Sequence, residues 1–312
     1  MTAPSIVVVG SLNADFIVHV PRFPVPGETL RGDQFAIMPG GKGGNQACAA
    51  ARLGGAVALV GQVGSDAHGE WLRRGLEEAG VDAHLVALDE HVATGVALIT
   101  IASDGENHIV LASGANGTFG PDRLAPAVPL LRGASVVLLQ LEVPLDTVMR
   151  AAVEAHAAGA TVILDPAPAA SVPDQLLALC GFLTPNESEL AILTGERPYE
   201  EETPLDVIDS RARRLLARGC QRVLVKLGAR GVRLIEPHDA FHWSAFNVKA
   251  VDTTAAGDAF NGALAVALAE RQTVEGALTF ASAAAAISVT RAGAQPAMPT
   301  REEVDHLLKG HL

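Results

Sequence analysis

Short runs of aliphatic and β-branched residues recur along this chain, each followed by a polar or glycine-bearing stretch and then a longer segment of helical period. Ile6-Val7-Val8-Val9 is apolar throughout and stops at Gly10, the pattern of a strand buried on both faces of a parallel sheet. The same order returns at residues 58–63, where an amphipathic segment follows over 69–79. It returns again at 135–140 with a helical segment over 145–158, and at 161–164. A helix over 205–218 then precedes a strand over 222–227. Strands alternating with helices predict right-handed βαβ units. The fold class expected is therefore α/β, three layers deep, with a mostly parallel central sheet.

Two regions break that rhythm. Residues 16–20 and 29–38 read as strands too polar to be central, joined by 21–28 with its three prolines and one glycine. Residues 94–101 and 107–112 alternate in polarity across Ser103-Asp104-Gly105-Glu106, a strong hairpin signal. Together, segments 16–38 and 94–112 predict a small β-sheet lid inserted in a single domain over 1–312. Alanine-rich segments at 263–269 and 281–290 read as buried helices.

Ligands of such sheets bind at the carboxyl ends of the strands. Polar residues fall there: Asn13 and Asp15 after the first strand, Glu142 after 138–141, and Asp165 after 162–164. In an extended segment Asn13 and Asp15 share a face and suit one polyol; as turn formers they would be ordinary. Pro39-Gly40-Gly41-Lys42-Gly43-Gly44-Asn45 offers four glycines in five positions ahead of an alanine-rich helix, permitting positive φ and close approach to a ligand. Gly43 follows Lys42 where a P-loop needs Ser or Thr, so Lys42 and Asn45 read as substrate ligands rather than triphosphate ligands.

Asp252-Thr253-Thr254-Ala255-Ala256-Gly257-Asp258 is a small-residue turn running into a helix. Unpaired N–H groups at a helix start form an anion site, and Asp258 in the first turn is placed to take a hydroxyl proton. The competing reading is a capping aspartate. Asn186 and Glu189 likewise fit either a capping box or a nucleotide–magnesium role. Gly228 and Gly231 mark a tight turn between strands. Asp252 and Thr254, with backbone carbonyls near Ser288, Arg291 and Gly293, suggest oxygen ligands for a monovalent cation.

Composition narrows the classes. Apolar residues make up 49% and aromatics 4%, so aliphatics and alanine build the core. The formal charge of −12, with no basic run, argues against nucleic acid and anionic membrane as partners. Cys48, Cys180 and Cys220 are far apart and outside any C-x-x-C spacing, which fits a reducing cytoplasm. Neither H-E-x-x-H nor G-x-S-x-G occurs.

The glycine loop 40–47 and the segment 252–258 resemble the two signatures of the PfkB family of sugar and nucleoside kinases. The likeness runs from Gly10-Ser11-Leu12-Asn13-Ala14-Asp15 to Pro296-Ala297-Met298-Pro299. Asn13-Ala14-Asp15, Gly105-Glu106-Asn107 with Gly114-Ala115-Asn116, Gln140-Leu141-Glu142, Pro166-Ala167-Pro168 and residues 290–296 resemble its ribose-specific branch. The resemblance implies ATP-dependent phosphorylation of the D-ribose 5-hydroxyl, with Mg2+ and an activating K+. Asp258 would be the base, with Ala255, Ala256 and Gly257 as anion hole. Asn13, Asp15, Gly41, Lys42, Asn45 and Glu142 would hold the sugar. Asn186, Lys226, Gly228, Gly231, Gly257 and Ser282 would line the ATP site, and Glu189 would serve magnesium indirectly. Asp252, Thr254, Ser288, Arg291, Gly293 and Ala297 would hold K+. A homodimer through the lid is also implied. Lys226, Asp165, Ser282 and Ala297 depart from the family's usual residues. Alternatives are a sister kinase for deoxyribose, fructose or a nucleoside, and a non-catalytic sensor on the same scaffold.

Overall fold

The structure is a computed structural model that describes residues 5–199 and 202–310. Its strands are β1 (Ile6–Val9), β2 (Asn13–Val20), β3 (Gln34–Gly40), β4 (Val57–Gly64), β5 (Val86–Asp89), β6 (Gly95–Ala102), β7 (Asn107–Ala112), β8 (Val136–Leu139), β9 (Thr161–Leu164), β10 (Phe182–Leu183), β11 (Val223–Lys226), β12 (Val232–Ile235) and β13 (Ala240–Trp243). Helices are α1 (Lys42–Arg52), α2 (Ala67–Glu78), α3 (Val128–Gly133), α4 (Leu145–Ala157), α5 (Asp174–Leu177), α6 (Glu187–Leu193), α7 (Leu205–Ala217), α8 (Ala256–Ala269), α9 (Val274–Ser288) and α10 (Arg301–Lys309).

Among the described residues the main sheet has nine strands in the order β13-β12-β11-β10-β9-β8-β1-β4-β5. It is parallel from β11 to β5, while β12 runs antiparallel to both of its neighbours, β11 and β13. Strand β1 lies inside it, flanked by β4 and β8, so all four of its side chains are buried. Ile6 and Val8 enter one apolar layer with α1, α2, α8, α9 and α10, while Val7 and Val9 enter the other with α3 to α7. Each fully buried valine or isoleucine contributes about 1.5–3 kcal/mol of transfer free energy, which explains the uninterrupted apolar run. This is the three-layer arrangement the alternating pattern predicts.

The second sheet, in the order β3-β2-β6-β7, is the lid. Strand β2 pairs antiparallel with β3 and parallel with β6, and β6 forms a hairpin with β7. The connection between β2 and β3 extends beyond residue 28 to residue 33, since Gly32 and Asp33 lie outside the strand that begins at Gln34. Helix α8 begins at Ala256, so that Asp258 lies in its first turn as expected and the alanine-rich segment 263–269 is its later part. Helix α9 spans Val274–Ser288 rather than 281–290, because apolar packing continues back through a glycine and polar residues. No helix among the described residues is long and apolar enough to cross a membrane.

The glycine loop works differently from its sequence expectation. Of its glycines only Gly41 has positive φ, at 83°. Gly43 and Gly44 lie inside α1, and a Cβ on Gly43 would stand 2.6 Å from the Gly10 carbonyl carbon and the Ser11 nitrogen. The close approach these glycines permit is therefore mainly between α1 and the end of β1, with no side chain between them. Gly40 leaves room for the Asp15 carboxylate, which would lie 2.0 Å from any Cβ there.

Candidate active site

Asp258 lies in the first turn of α8, and its role is not capping. The N-cap position is Ala255, which makes no side-chain cap. The buried Asp258 carboxylate instead accepts hydrogen bonds from Asn45 Nδ2 at 3.0 Å and Gln46 Nε2 at 2.9 Å, both on α1. Burial raises its pKa above the usual carboxylate range, opposed by the nearby Lys42 ammonium. The glycine contact between α1 and β1 thus sets the distance at which Asn45 and Gln46 reach across to α8.

Ala255 adopts a left-handed conformation, φ 57°, which costs a non-glycine residue of order 1 kcal/mol. The Ala256 N–H reaches back to Thr253 O at 3.3 Å, while among the described residues those of Ala255, Gly257 and Asp258 donate to no protein acceptor. These free donors open onto a cavity of about 690 Å3. Lys42, Asn186, Glu189, Lys226 and Asp258 form its polar end. Val232, Phe246, Val248, Phe260, Ala286 and Val289 form much of its apolar end, and Gly228, Gly231 and Ser282 also line it. An apolar slot leading to cations and unpaired N–H groups suits a nucleotide lying base-first with its phosphates against the start of α8. At that polar end the Glu189 carboxylate suits a hard divalent cation, whereas both Asp165 oxygens are engaged, by Lys226 and Gln46.

Asn186 and Glu189 do form the capping box. Glu189 N donates to Asn186 Oδ1 at 2.7 Å, and Asn186 N donates to Glu189 Oε2 at 2.8 Å. Both also line the cavity.

On the lid side a second cavity of about 260 Å3 is bounded by Asn13, Asn116, Leu111, Glu142, Val143 and Pro168 among others. Asn13 and Asp15 start β2, as an extended segment requires. Asn13 Oδ1 accepts from Asn116 Nδ2 at 2.8 Å, and that amide also spans the Leu12 backbone. Glu142 accepts from Ser11 Oγ and, at 3.0 Å, from Lys42 N. The Asp15 carboxylate accepts no hydrogen bond among the described residues, and burial, with Glu142 and Asp258 nearby, raises its pKa to about 7. Burial works against the Lys42 ammonium, but Asp258, Asp165, Glu142 and Glu189 outweigh it and hold its pKa above the ordinary value. Gly41 caps α1 against the Asn13 backbone.

The family model for pfkB family carbohydrate kinases matches residues 3–301. The chain belongs to the PfkB family.

Among PfkB relatives, a ribokinase of Haemophilus influenzae is 41% identical over 98% of this chain and 98% of its own. A deoxyribokinase of Salmonella typhi is 37% identical over 97% and 98%. The solved structure of Arabidopsis thaliana ribokinase complexed with ribose and ATP superposes with a TM-score of 0.92 at 37% identity, covering 99% of both chains. These matches run nearly end to end, lid included.

The outer cation set is partly assembled. Asp252 accepts from Thr254 N at 2.9 Å and Gly293 N at 2.8 Å; partial burial opposes its ionisation, but these bonds hold its pKa below the ordinary value. Ser288 O accepts from Arg291 N at 3.3 Å, and the Arg291 guanidinium pairs with Glu303. Ala297, buried in the turn Gln295–Ala297, donates its N–H to Ala294 O. Among the described residues no cluster of three His, Cys, Asp or Glu side chains is arranged to hold a metal. A cation here would depend on backbone carbonyls.

The site also contains residues the sequence analysis assigned no role. Gln46 touches the proposed base directly, Asn116 orients Asn13, and Gln140 fixes the Gln46 amide by donating to its Oε1 at 2.7 Å. Gln46 sits one residue beyond Asn45 in the glycine-loop motif, the one signal that pointed to it.

Proposed function

We propose that this PfkB-family protein transfers the γ-phosphoryl group of ATP to the 5-hydroxyl of D-ribose. The observation that carries this reading is a buried carboxylate, Asp258, placed by two amides beside unpaired N–H groups at a helix start. In the proposed step Asp258 accepts the hydroxyl proton as the sugar oxygen bonds to phosphorus. The bond from phosphorus to the bridging oxygen breaks, and ADP leaves with that electron pair. The N–H groups of Ala255, Gly257 and Asp258 receive the charge on the transferring phosphoryl, and Lys42 adds a cation between base and phosphate. Ala256, its N–H turned to Thr253, completes the turn. Asn13, Asp15, Gly41, Lys42, Asn45 and Glu142 hold the sugar. Asn186, Lys226, Gly228, Gly231, Gly257 and Ser282 surround the nucleotide.

Magnesium, held by phosphate oxygens and through water by Glu189, would neutralise phosphate charge. Potassium would bind Asp252, Thr254 and the carbonyls of Ser288, Arg291, Gly293 and Ala297. The chain works as one domain with an inserted lid, in the cytoplasm, where its three buried cysteines stay reduced. A second copy of the chain is the partner that fits the lid, since Phe35, Leu98, Ile109, Val110 and Leu111 are exposed there as apolar surface.

The test is ADP release from MgATP with D-ribose, 2-deoxy-D-ribose, D-fructose and a nucleoside, in potassium and in a large organic cation. Ribose-dependent, potassium-stimulated release is expected. Release highest with 2-deoxy-D-ribose would move the assignment to the deoxyribokinase branch. Binding of ribose with no release on any acceptor would leave a sensor.

A further inference from the structure

The cavity's polar end holds an ion pair to which the proposed mechanism gives no part in the transfer step, although Lys226 is placed beside the nucleotide. Lys226 Nζ donates to Asp165 Oδ1 at 2.8 Å, with side chains 13% and 2% exposed. Lys226 ends β11 and Asp165 follows β9, so the pair closes over the carboxyl ends of the strands on either side of β10. The other Asp165 oxygen accepts from Gln46 Nε2 at 2.9 Å, the same amide nitrogen that donates to Asp258. One chain of hydrogen bonds therefore runs Lys226–Asp165–Gln46–Asp258.

The ammonium also has a definite aim. A Cβ built on Gly257 would stand 3.2 Å from Lys226 Nζ, so the charge lies against the turn whose N–H groups are unpaired. An ammonium has three donors, and one serves Asp165. No other acceptor for Nζ is found among the described residues, and Lys226 lines the cavity, which leaves two donors for a ligand there. Among the described residues that line the cavity, the charged ones are Asp165, Glu189 and Asp258 against Lys42 and Lys226. An arriving polyphosphate needs that second cation more than an uncharged site would.

Accordingly, we propose that Lys226 is a catalytic residue that contacts the transferring phosphoryl group together with the Gly257 N–H, and that Asp165 is the positioning residue that aims it. This deepens the kinase reading and rests on it. Bond changes are those already given: Lys226 donates hydrogen bonds to phosphoryl oxygens and no proton leaves it. Asp165 fixes the ammonium and, through Gln46, the base in one frame, so donor and acceptor ends of the reaction keep a common register.

The test uses Lys226→Met, Lys226→Arg and the double variant Lys226→Met with Asp165→Asn. Lys226→Met alone strands a buried carboxylate and risks misfolding; the double variant removes both charges and guards against that. Titrations with a non-hydrolysable ATP analogue, which keeps the γ-phosphoryl group, and with ADP, which lacks it, separate contact with that group from packing. Expected for the double variant is a fall of about tenfold or more in analogue affinity, with ADP affinity falling less and the ribose KM unchanged. Its kcat should fall by about 10²-fold, as for loss of one preorganised donor, and Lys226→Arg should recover part of the analogue affinity. Equal losses for the analogue and ADP, or a kcat within about threefold of wild type in the folded double variant, would overturn the proposal. If the wild-type protein releases no ADP with any acceptor, the kinase reading falls. The comparison of the analogue with ADP still decides whether Lys226 touches the γ-phosphoryl group.

Discussion

Replacing Asp15 by Asn isolates one buried charge and gives two measurements with opposite pH signs. Burial first, then Glu142 and Asp258, raises the Asp15 pKa from 3.8 to about 7. The folded chain without sugar therefore binds this proton more tightly than the unfolded chain does. Between those values the native state carries the extra proton, so stability falls as pH rises. Each pKa unit is worth about 1.36 kcal/mol, which gives a loss of about 2.5 kcal/mol between pH 5 and pH 8 from this group alone. Asp15→Asn is nearly isosteric and removes the titration. Other groups titrate in the same range, so the quantity to read is the wild-type minus Asp15→Asn difference in unfolding free energy, from urea melts across pH 5–8. That difference should favour wild type most at pH 5 and shrink by about 2.5 kcal/mol by pH 8. Sugar binding runs the other way. A carboxylate accepting sugar hydroxyls must be ionised, so ribose affinity should rise about tenfold from pH 6 to pH 8 in wild type, and stay flat in the variant. Parallel unfolding curves for the two proteins, or a ribose affinity indifferent to pH in wild type, would refute the reasoning.

Asp258→Asn should leave ribose binding in place and lower kcat by at least about 10²-fold, the low end for a positioned base; single-turnover phosphorylation checks it. Gly43→Ala, which would push a methyl to 2.6 Å from the β1 backbone, should destabilise by roughly 1–3 kcal/mol and lower the thermal midpoint. The ribose KM should rise with it as α1 shifts. Val110→Asp on the exposed face of β7 should shift a lid-mediated dimer to monomer in sedimentation; an unchanged mass would remove the lid from the interface. Exchanging potassium for a large organic cation should slow turnover in wild type and have little effect in Asp252→Ala, measured as ADP release.

Most of the main sheet was legible because burial on both faces leaves unbroken aliphatic runs, such as Ile6–Val9 and Val136–Leu139. The antiparallel pair β12 and β13 was harder to read, since Arg233 and His242 interrupt short strands at the sheet edge. The turn before Asp258 marked the start of α8, whereas the start of α9 at 274 was obscured because its first turn, Val274-Glu275-Gly276-Ala277, mixes apolar, charged and glycine residues. Within the site, residues carrying charge at strand ends stood out. Gln46, Gln140 and Asn116 lay in the motifs that carry the resemblance but received no role, because what each amide does depends on partners far along the chain. Each has a role only through contacts with residues 94–212 positions away. The glycine loop was legible as a motif and misread as physics: its tight approach is chiefly helix to strand.

The sugar side of the site is built where the lid sheet itself begins and ends. Asn13 and Asp15 open β2, and Gly40 closes β3 directly opposite Asn13. The phosphate side stands on the nine-stranded sheet and α8. Strain applied to the lid, by a tag on the β6–β7 hairpin or by a partner, therefore has a direct mechanical path to the sugar ligands, and through Gly41 it reaches Lys42 at the polar end of the nucleotide cavity. Attempts to retune acceptor choice by grafting can accordingly treat the lid and its two hydrophilic strand ends as one transplantable cassette, with the catalytic aspartate left in its own frame.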